Sequence, residues 1–142
     1  METKNFTYSF ESTKSPETIF SLLLDPKKWW VGFHEETIIG DSKKPNDTFS
    51  FKAGGGMHYT VQKLVEVIPN EKIVWLVTES NLSFLKEVDE WNHTKIRFDI
   101  SPNGNKTKVI FTHDGLVPTF ECYGACSSAW TNYMQQLENT LR

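Results

Sequence analysis

The chain has 142 residues, enough for one domain and too few for two. Hydrophobic residues make up 38% and charged residues 23%, a composition typical of soluble proteins. The net charge of −3 gives no basic field for a nucleic-acid backbone, and no apolar run approaches the roughly 20 residues of a membrane span. We expect one domain over residues 1–142. Because "METKNFTYSF" has no apolar signal core, we expect the protein in the cytoplasm.

The amino-terminal part predicts a strand, a helix and an aromatic connection. "NFTYSFES" (5–12) alternates apolar and polar residues, which favours a half-buried strand. "KSPETIFSLLLDP" (14–26) predicts a helix with Ser15 as N-cap and Pro16 at its first position. After it come Trp29 and Trp30, which are unusual in a connection. We expect Trp29 to cap the core and Trp30 to lie at the mouth of a pocket.

The middle of the chain predicts a series of antiparallel strands. In "DTFSFKA" (47–53), Phe49 and Phe51 share one face. In "MHYTVQKLVEVIP" (57–69), the apolar alternation places Tyr59 on the interior face, and "GGG" (54–56) predicts a flexible turn between these strands. "EKIVWLVTES" (71–80) is apolar on both faces, as expected of a central strand, and "HTKIRFDIS" (93–101) alternates clearly. "NKTKVIFTHDG" (105–115) predicts a further strand, whereas "NLSFLKEVDEWN" (81–92) is compatible with a loop or a short helix.

The last stretch, "TFECYGACSSAWTNYMQQLENTLR" (119–142), changes to helical spacing and predicts one long amphipathic helix. The sequence therefore predicts an α+β fold with a curved antiparallel sheet of about six or seven strands wrapped around this helix. A short helical segment follows the first strand. A strongly curved sheet around one helix leaves a space between them.

Aromatic residues point into that space from both sides. They make up 13% of the chain, with ten Phe, five Trp and four Tyr. So many rings around one helix favour an incompletely filled interior that binds a small, mostly apolar ligand. The predicted ligand-binding residues are Trp30, Phe33, Phe49, Phe51, Tyr59, Trp75, Trp91, Phe98, Phe111, His113, Tyr123, Cys126 and Trp130.

Residues with catalytic chemistry are few. His113 on the interior face and Glu90 near the strand rim are the candidate acid–base groups, although no catalytic residue is assigned. A triad of Ser127 or Ser128 with His113 and Asp114 is disfavoured, because adjacent strand residues face opposite ways.

Neither a metal site nor a cofactor is predicted. Cys122 and Cys126 lack the usual spacing of a structural zinc site. Their four-residue separation in a helix is too wide for a disulfide, so we expect free thiols in a reducing compartment.

Four stretches carry a family resemblance: "SPETIFSLLLDPKKWW" (15–30), "KLVEVIPNEKIVWLVTES" (63–80), "EWNHTKIRFDIS" (90–101) and "KTKVIFTHDGLVPTFECYGACSSAWTNYMQQLENTL" (106–141). The chain resembles the SRPBCC superfamily, whose START or Bet v 1-like domains have the helix-grip fold. It is most similar to the branch of activators of the heat-shock-protein-90 ATPase. One departure is Ala129, where the family often has Gly before the Trp of the last helix.

The resemblance implies the helix-grip fold but leaves three functions open. The first is binding of a small apolar or aromatic ligand in the cavity, with no enzyme activity. The second is a protein-interaction module similar to the chaperone-ATPase activators, with a chaperone as partner. The third is a cavity enzyme of cyclase, dehydratase or hydrolase type. We expect no nucleic-acid partner and a monomer or homodimer.

Overall fold

The structure, a computed structural model, describes residues 5–117 and 123–142. Within these ranges the chain forms seven strands and two α-helices. They are β1 (Phe6–Ser12), α1 (Pro16–Leu23), β2 (Thr37–Gly40), β3 (Thr48–Ala53), β4 (His58–Ile68), β5 (Lys72–Leu82), β6 (Lys95–Asn103), β7 (Lys106–Asp114) and α2 (Tyr123–Thr140). The strands form one antiparallel sheet in the order β1-β7-β6-β5-β4-β3-β2. The predicted α+β fold, a curved antiparallel sheet with a long C-terminal helix, is confirmed.

Helix α1 begins where its capping residues predict. The Ser15 hydroxyl accepts a hydrogen bond from the backbone N–H of Thr18 at 3.2 Å, and Pro16 occupies the first turn. Ile19 and Leu23 are completely buried and attach the helix to the core. A 3₁₀ turn over Pro26–Lys28 then leads into the two tryptophans.

The alternating pattern gives the correct inner face for β6 and β7. Ile96, Phe98 and Ile100 are buried, and Phe98 lies directly opposite Phe111 on the neighbouring strand. His113 is completely buried opposite Ile96. The segment between β5 and β6, residues 83–94, contains turns and no helix.

The strand predicted over residues 57–69 is present as β4, but the face assigned to the interior is wrong. Its buried side chains are Thr60, Gln62 and Leu64, whereas Tyr59 lies opposite the exposed Lys52 on the outer face of the sheet. Apolar residues therefore marked the wrong face, because the strand buries a polar pair. The Gln62 side-chain amide donates to the Thr60 hydroxyl, which satisfies part of that polarity inside the core.

Helix α2 covers the inner face of the sheet with its apolar side. Its buried residues are Cys126, Trp130, Tyr133, Met134 and Leu137. The Trp130 ring lies 4.6 Å from the Phe111 ring, centroid to centroid, so helix and sheet pack through aromatic contacts. The core lies between these two layers, as the sequence predicts.

Candidate functional site

A cavity of about 220 Å³ lies at one end of the space between sheet and α2. Its lining residues are Trp30, His34, Phe51, Ala53, Gly54, Met57, His58, Phe84, Trp91, Ala125, Cys126, Ala129, Trp130 and Tyr133. At its rim, Met57 is 52% exposed and Phe84 is 40% exposed, so the cavity borders solvent there. The walls are almost entirely apolar, which suits an apolar guest.

The cavity exists because the first turns of α2 carry small side chains. Ala125, Cys126 and Ala129 occupy the part of the helix that lines the space. One residue further on, Trp130 is buried and fills the interior again. Because residues three and four positions apart share one face of a helix, these small side chains lie together beside the cavity.

The two tryptophans have different roles. Trp29 is core: its indole N–H donates to the Leu23 carbonyl at 2.8 Å, and its ring meets Phe98 edge-on at 5.1 Å. Trp30 is only 2% exposed, and it stacks on Phe51 with a 3.9 Å centroid separation. Trp30 lines the cavity but as an inner wall, not at the exposed mouth where the sequence placed it.

His58 is a polar side chain in the wall of this aromatic site. Its ring meets Phe51 edge-on at 5.3 Å and Trp91 edge-on at 4.8 Å, and Phe84 stacks beside it at 6.3 Å. Burial lowers the pKa of His58 to about 4, and the nearby His34 lowers it further, so the ring is neutral at pH 7. Its Nδ1 atom is buried without a hydrogen-bond partner in the described part of the chain.

The loop over residues 31–36 contributes His34 to the cavity wall and is held by Glu36. The Glu36 carboxylate accepts from the backbone N–H groups of Gly32 at 2.9 Å, Phe33 at 3.1 Å and His34 at 3.1 Å. It also accepts from the Tyr133 hydroxyl at 2.5 Å.

These contacts set the charge state of both partners. Burial alone raises the pKa of Glu36, but the hydrogen bonds from Tyr133 and the loop backbone outweigh it and lower the pKa overall. Burial, and then the contact with Glu36, raises the pKa of Tyr133. The loop is thus tied to α2 by a charge-assisted hydrogen bond.

His113 lies outside the cavity wall and is fully bonded. The Trp130 indole N–H donates to His113 Nδ1 at 3.0 Å, so Nε2 carries the proton and donates to the Thr94 hydroxyl at 2.9 Å. That hydroxyl donates to the Trp91 carbonyl at 2.6 Å. Burial, followed by the effect of His58, lowers the pKa of His113 to about 3. The other acid–base candidate, Glu90, is half-buried and does not line the cavity.

The structure brings together only part of the predicted set. Five predicted residues line the cavity: Trp30, Phe51, Trp91, Cys126 and Trp130. Five others are buried elsewhere in the interior: Phe49, Trp75, Phe98, Phe111 and His113. Phe33 is 43% exposed to solvent and contacts the Tyr133 ring edge-on. Tyr59 lies on the outer face of the sheet, and Tyr123 is half-buried at the start of α2.

Sequence reasoning missed several lining residues: His34, Ala53, Gly54, Met57, His58, Phe84, Ala125, Ala129 and Tyr133. The signal that could have found some of them was the run of small residues in α2, where Ala129 also departs from the family pattern. His58 could not be found from the pattern, because the face of β4 was assigned from its apolar residues.

The expectation of free thiols is wrong for Cys126, which is disulfide-bonded. The prediction assumed that both cysteines stand on one regular helix, where their spacing is too wide for a disulfide. The described helix begins at Tyr123, and Cys122 lies outside the described residues.

No helix in the described ranges has the length and apolar content to span a bilayer.

Comparisons with known proteins agree with this architecture. The family model for Activator of Hsp90 ATPase homolog 1-like protein matches residues 13–142. The solution structure of the Aha1 dimer from Colwellia psychrerythraea is 25% identical with a TM-score of 0.75, over 97% of this chain and 96% of that chain. No curated protein is a significant match.

Two more distant structures share the fold. A protein from Mesorhizobium loti is 19% identical with a TM-score of 0.69, over 94% of each chain. A protein from Mycobacterium smegmatis is 12% identical with a TM-score of 0.70, over 100% of this chain and 96% of that chain. Since the family model covers nearly the whole chain, the protein belongs to the family of Activator of Hsp90 ATPase homolog 1-like proteins, the branch that the sequence resembles.

Proposed function

We propose that the protein binds a small apolar or aromatic ligand in the cavity between the sheet and the first turns of α2. The observation that carries this proposal is a space of about 220 Å³ enclosed by aromatic rings and small α2 side chains. A ring-lined space that the protein leaves open loses packing contacts, and a guest restores them. Binding also removes apolar wall from water.

The size of the cavity limits the ligand. An apolar protein cavity of about 150 Å³ takes benzene. The present volume of about 220 Å³ therefore suits about two fused rings, whereas a sterol is too large. Burying about 300 Å² of ligand surface contributes roughly 7 kcal/mol, which association costs of about 4 kcal/mol or more partly offset. Since about 7 kcal/mol alone corresponds to a Kd of about 10 μM, the association costs make the expected Kd weaker than about 10 μM.

Naphthalene is a suitable first probe, and the five indole N–H groups report its position in a two-dimensional ¹H–¹⁵N NMR titration. We expect the largest shifts at Trp30, Trp91 and Trp130, which line the cavity, and smaller ones at Trp29 and Trp75, which do not. Uniformly small shifts at all five indoles at saturating naphthalene would contradict the proposal.

A plug variant makes the test specific. Ala129→Leu extends a larger side chain from α2 into the cavity and should weaken naphthalene binding at least tenfold. Ser128→Leu is the matched control, because Ser128 is exposed on the same helix, next in sequence, and does not line the cavity. Equal affinities of the two variants would argue against this site.

A second function, a chaperone-directed interaction, is favoured by the family match and by the Aha1 dimer from Colwellia psychrerythraea. In this proposal the protein binds an Hsp90-type chaperone and stimulates its ATPase. A coupled ATPase assay with the chaperone from the same organism tests it, and an unchanged rate at saturating protein removes it. The cavity enzyme has less support, because both ring nitrogens of His113 are already bonded.

A further inference from the structure

His58 sits at the position where a guest would need a polar partner. The residue lines the cavity, and its ring orientation is fixed by edge-on contacts with Phe51 and Trp91. Its Nδ1 atom is buried without a hydrogen-bond partner among the described residues, which leaves Nε2 as the ring nitrogen open to a guest.

Four other polar groups near the cavity are already engaged or exposed. The Tyr133 hydroxyl donates to Glu36, and the Gly54 backbone N–H donates to the His34 carbonyl at 3.1 Å. The His34 side chain lies at the exposed side of the site. Outside the cavity wall, both ring nitrogens of His113 are hydrogen-bonded, one to Trp130 and the other to Thr94. His58 is therefore a side chain in the cavity wall that remains available to recognise a polar atom of a guest.

The chemistry of a neutral imidazole defines that polar atom. One ring nitrogen donates and the other accepts, and which one carries the proton follows from the partner. A hydroxyl group both donates and accepts, so it pairs with Nε2 in either tautomer. A carboxylate finds no cation here, because burial keeps His58 uncharged at pH 7, and it would be desolvated against aromatic walls.

We propose that His58 makes the cavity selective for uncharged hydroxyaromatic ligands of one or two rings, with the hydroxyl bound at Nε2. This inference rests on the proposed ligand-binding function and adds the ligand class and the residue that selects it. His58 acts on specificity, and the surrounding rings supply most of the affinity.

Three probes of one ring system test the inference: naphthalene, 2-naphthol and 2-naphthoate, each titrated at pH 7 by NMR. Wild-type protein should bind 2-naphthol about threefold to tenfold more tightly than naphthalene, the usual gain of one hydrogen bond. 2-Naphthoate should bind at least tenfold more weakly than naphthalene.

Two variants assign the preference to His58. His58→Phe keeps an aromatic ring beside Phe51 and Trp91 but removes the nitrogens, so the ratio of 2-naphthol affinity to naphthalene affinity should fall to about one. His58→Gln places an amide near the Nε2 position and should restore part of the preference. A structural role alone would change all three affinities together.

The outcomes separate this inference from the function on which it rests. Equal affinities of wild type for naphthalene and 2-naphthol, or a preference that survives in His58→Phe, would overturn the inference while ligand binding stands. Tighter binding of 2-naphthoate would also overturn it. If none of the three probes binds wild type, the proposed function fails and the inference fails with it. If His58→Phe does not fold, the wild-type ratio still decides.

Discussion

The two ends of the interior are built from the same kinds of residue, yet one is solid and the other is hollow. At the filled end, the rings of Trp29, Trp75 and Phe98 lie within 5.1–6.1 Å of one another and are at most 2% exposed. At the hollow end, Trp30 and Trp91 surround about 220 Å³ of space.

The difference comes from the helices and not from the sheet. Helix α1 closes the filled end, and Trp29 is held there by its hydrogen bond to the end of that helix. The start of α2 meets the hollow end with Ala125, Cys126 and Ala129. An abundance of aromatic residues therefore does not decide whether an interior is open. The size of the side chains that face the aromatic rings decides whether space remains between them.

Truncating a ring should cost far more at the filled end. Phe98→Ala removes a completely buried ring from close packing, and we expect a loss of about 3–5 kcal/mol in the free energy of unfolding. Phe84→Ala at the cavity rim, where the ring is 40% exposed, should cost less than about 1 kcal/mol. Urea denaturation of both variants measures this contrast, and similar losses would show that the two ends are packed alike.

Lowering the pH should destabilise the hollow end and the layer beneath it. The folded-state pKa values of His58 and His113, about 4 and about 3, lie below the unfolded value of about 6.5. The unfolded chain therefore binds more protons, and stability is constant above about pH 6.5 and falls below it. Between pH 7 and pH 5 we expect a loss of about 2 kcal/mol per histidine.

Urea midpoints at the two pH values check this, because few carboxylates titrate in that interval. The variant His58→Phe should show roughly half the wild-type loss. A wild-type stability that does not change between pH 7 and pH 5 would contradict the assignment of both histidines as buried and neutral.

A smaller effect is expected at the hydrogen bond between Tyr133 and Glu36, which ties the 31–36 loop to α2. Tyr133→Phe removes a partly buried, charge-assisted hydrogen bond and should cost about 1.5–3 kcal/mol. Tyr8→Phe is the matched control, because its hydroxyl donates to the Glu138 carboxylate at 2.6 Å from a more exposed position. It should cost less than about 1 kcal/mol. Equal losses of unfolding free energy in the two variants, measured by thermal or urea unfolding, would show that the Tyr133–Glu36 hydrogen bond contributes no more than the exposed one.

The sequence predicts the architecture well because periodicity and capping act locally. The Ser15-Pro16 start of α1 and the alternation of β6 follow from residues close in sequence, and both are confirmed. β4 shows where this fails. Its two register shifts and its buried Thr60 and Gln62 reverse the face that hydrophobicity assigns.

The site was less predictable than the fold, because a cavity is a property of several elements at once. Each aromatic residue of the predicted set could either pack in the core or line the cavity. Only its position relative to the small side chains of α2, such as Ala129, decides which. Trp30 and Phe98 have the same character in sequence, but only Trp30 borders the space. His58 was hidden because its strand face was assigned wrongly.

The most direct test is xenon binding, which needs no knowledge of the natural ligand, because xenon enters apolar protein cavities of this size. In crystals pressurised with xenon, wild-type protein should show a xenon atom in contact with Trp30, Phe51 and Ala129, and Ala129→Leu should not. No xenon at this position in the wild type, or equal occupancy in the Ala129→Leu variant, would contradict a hollow end able to hold a guest.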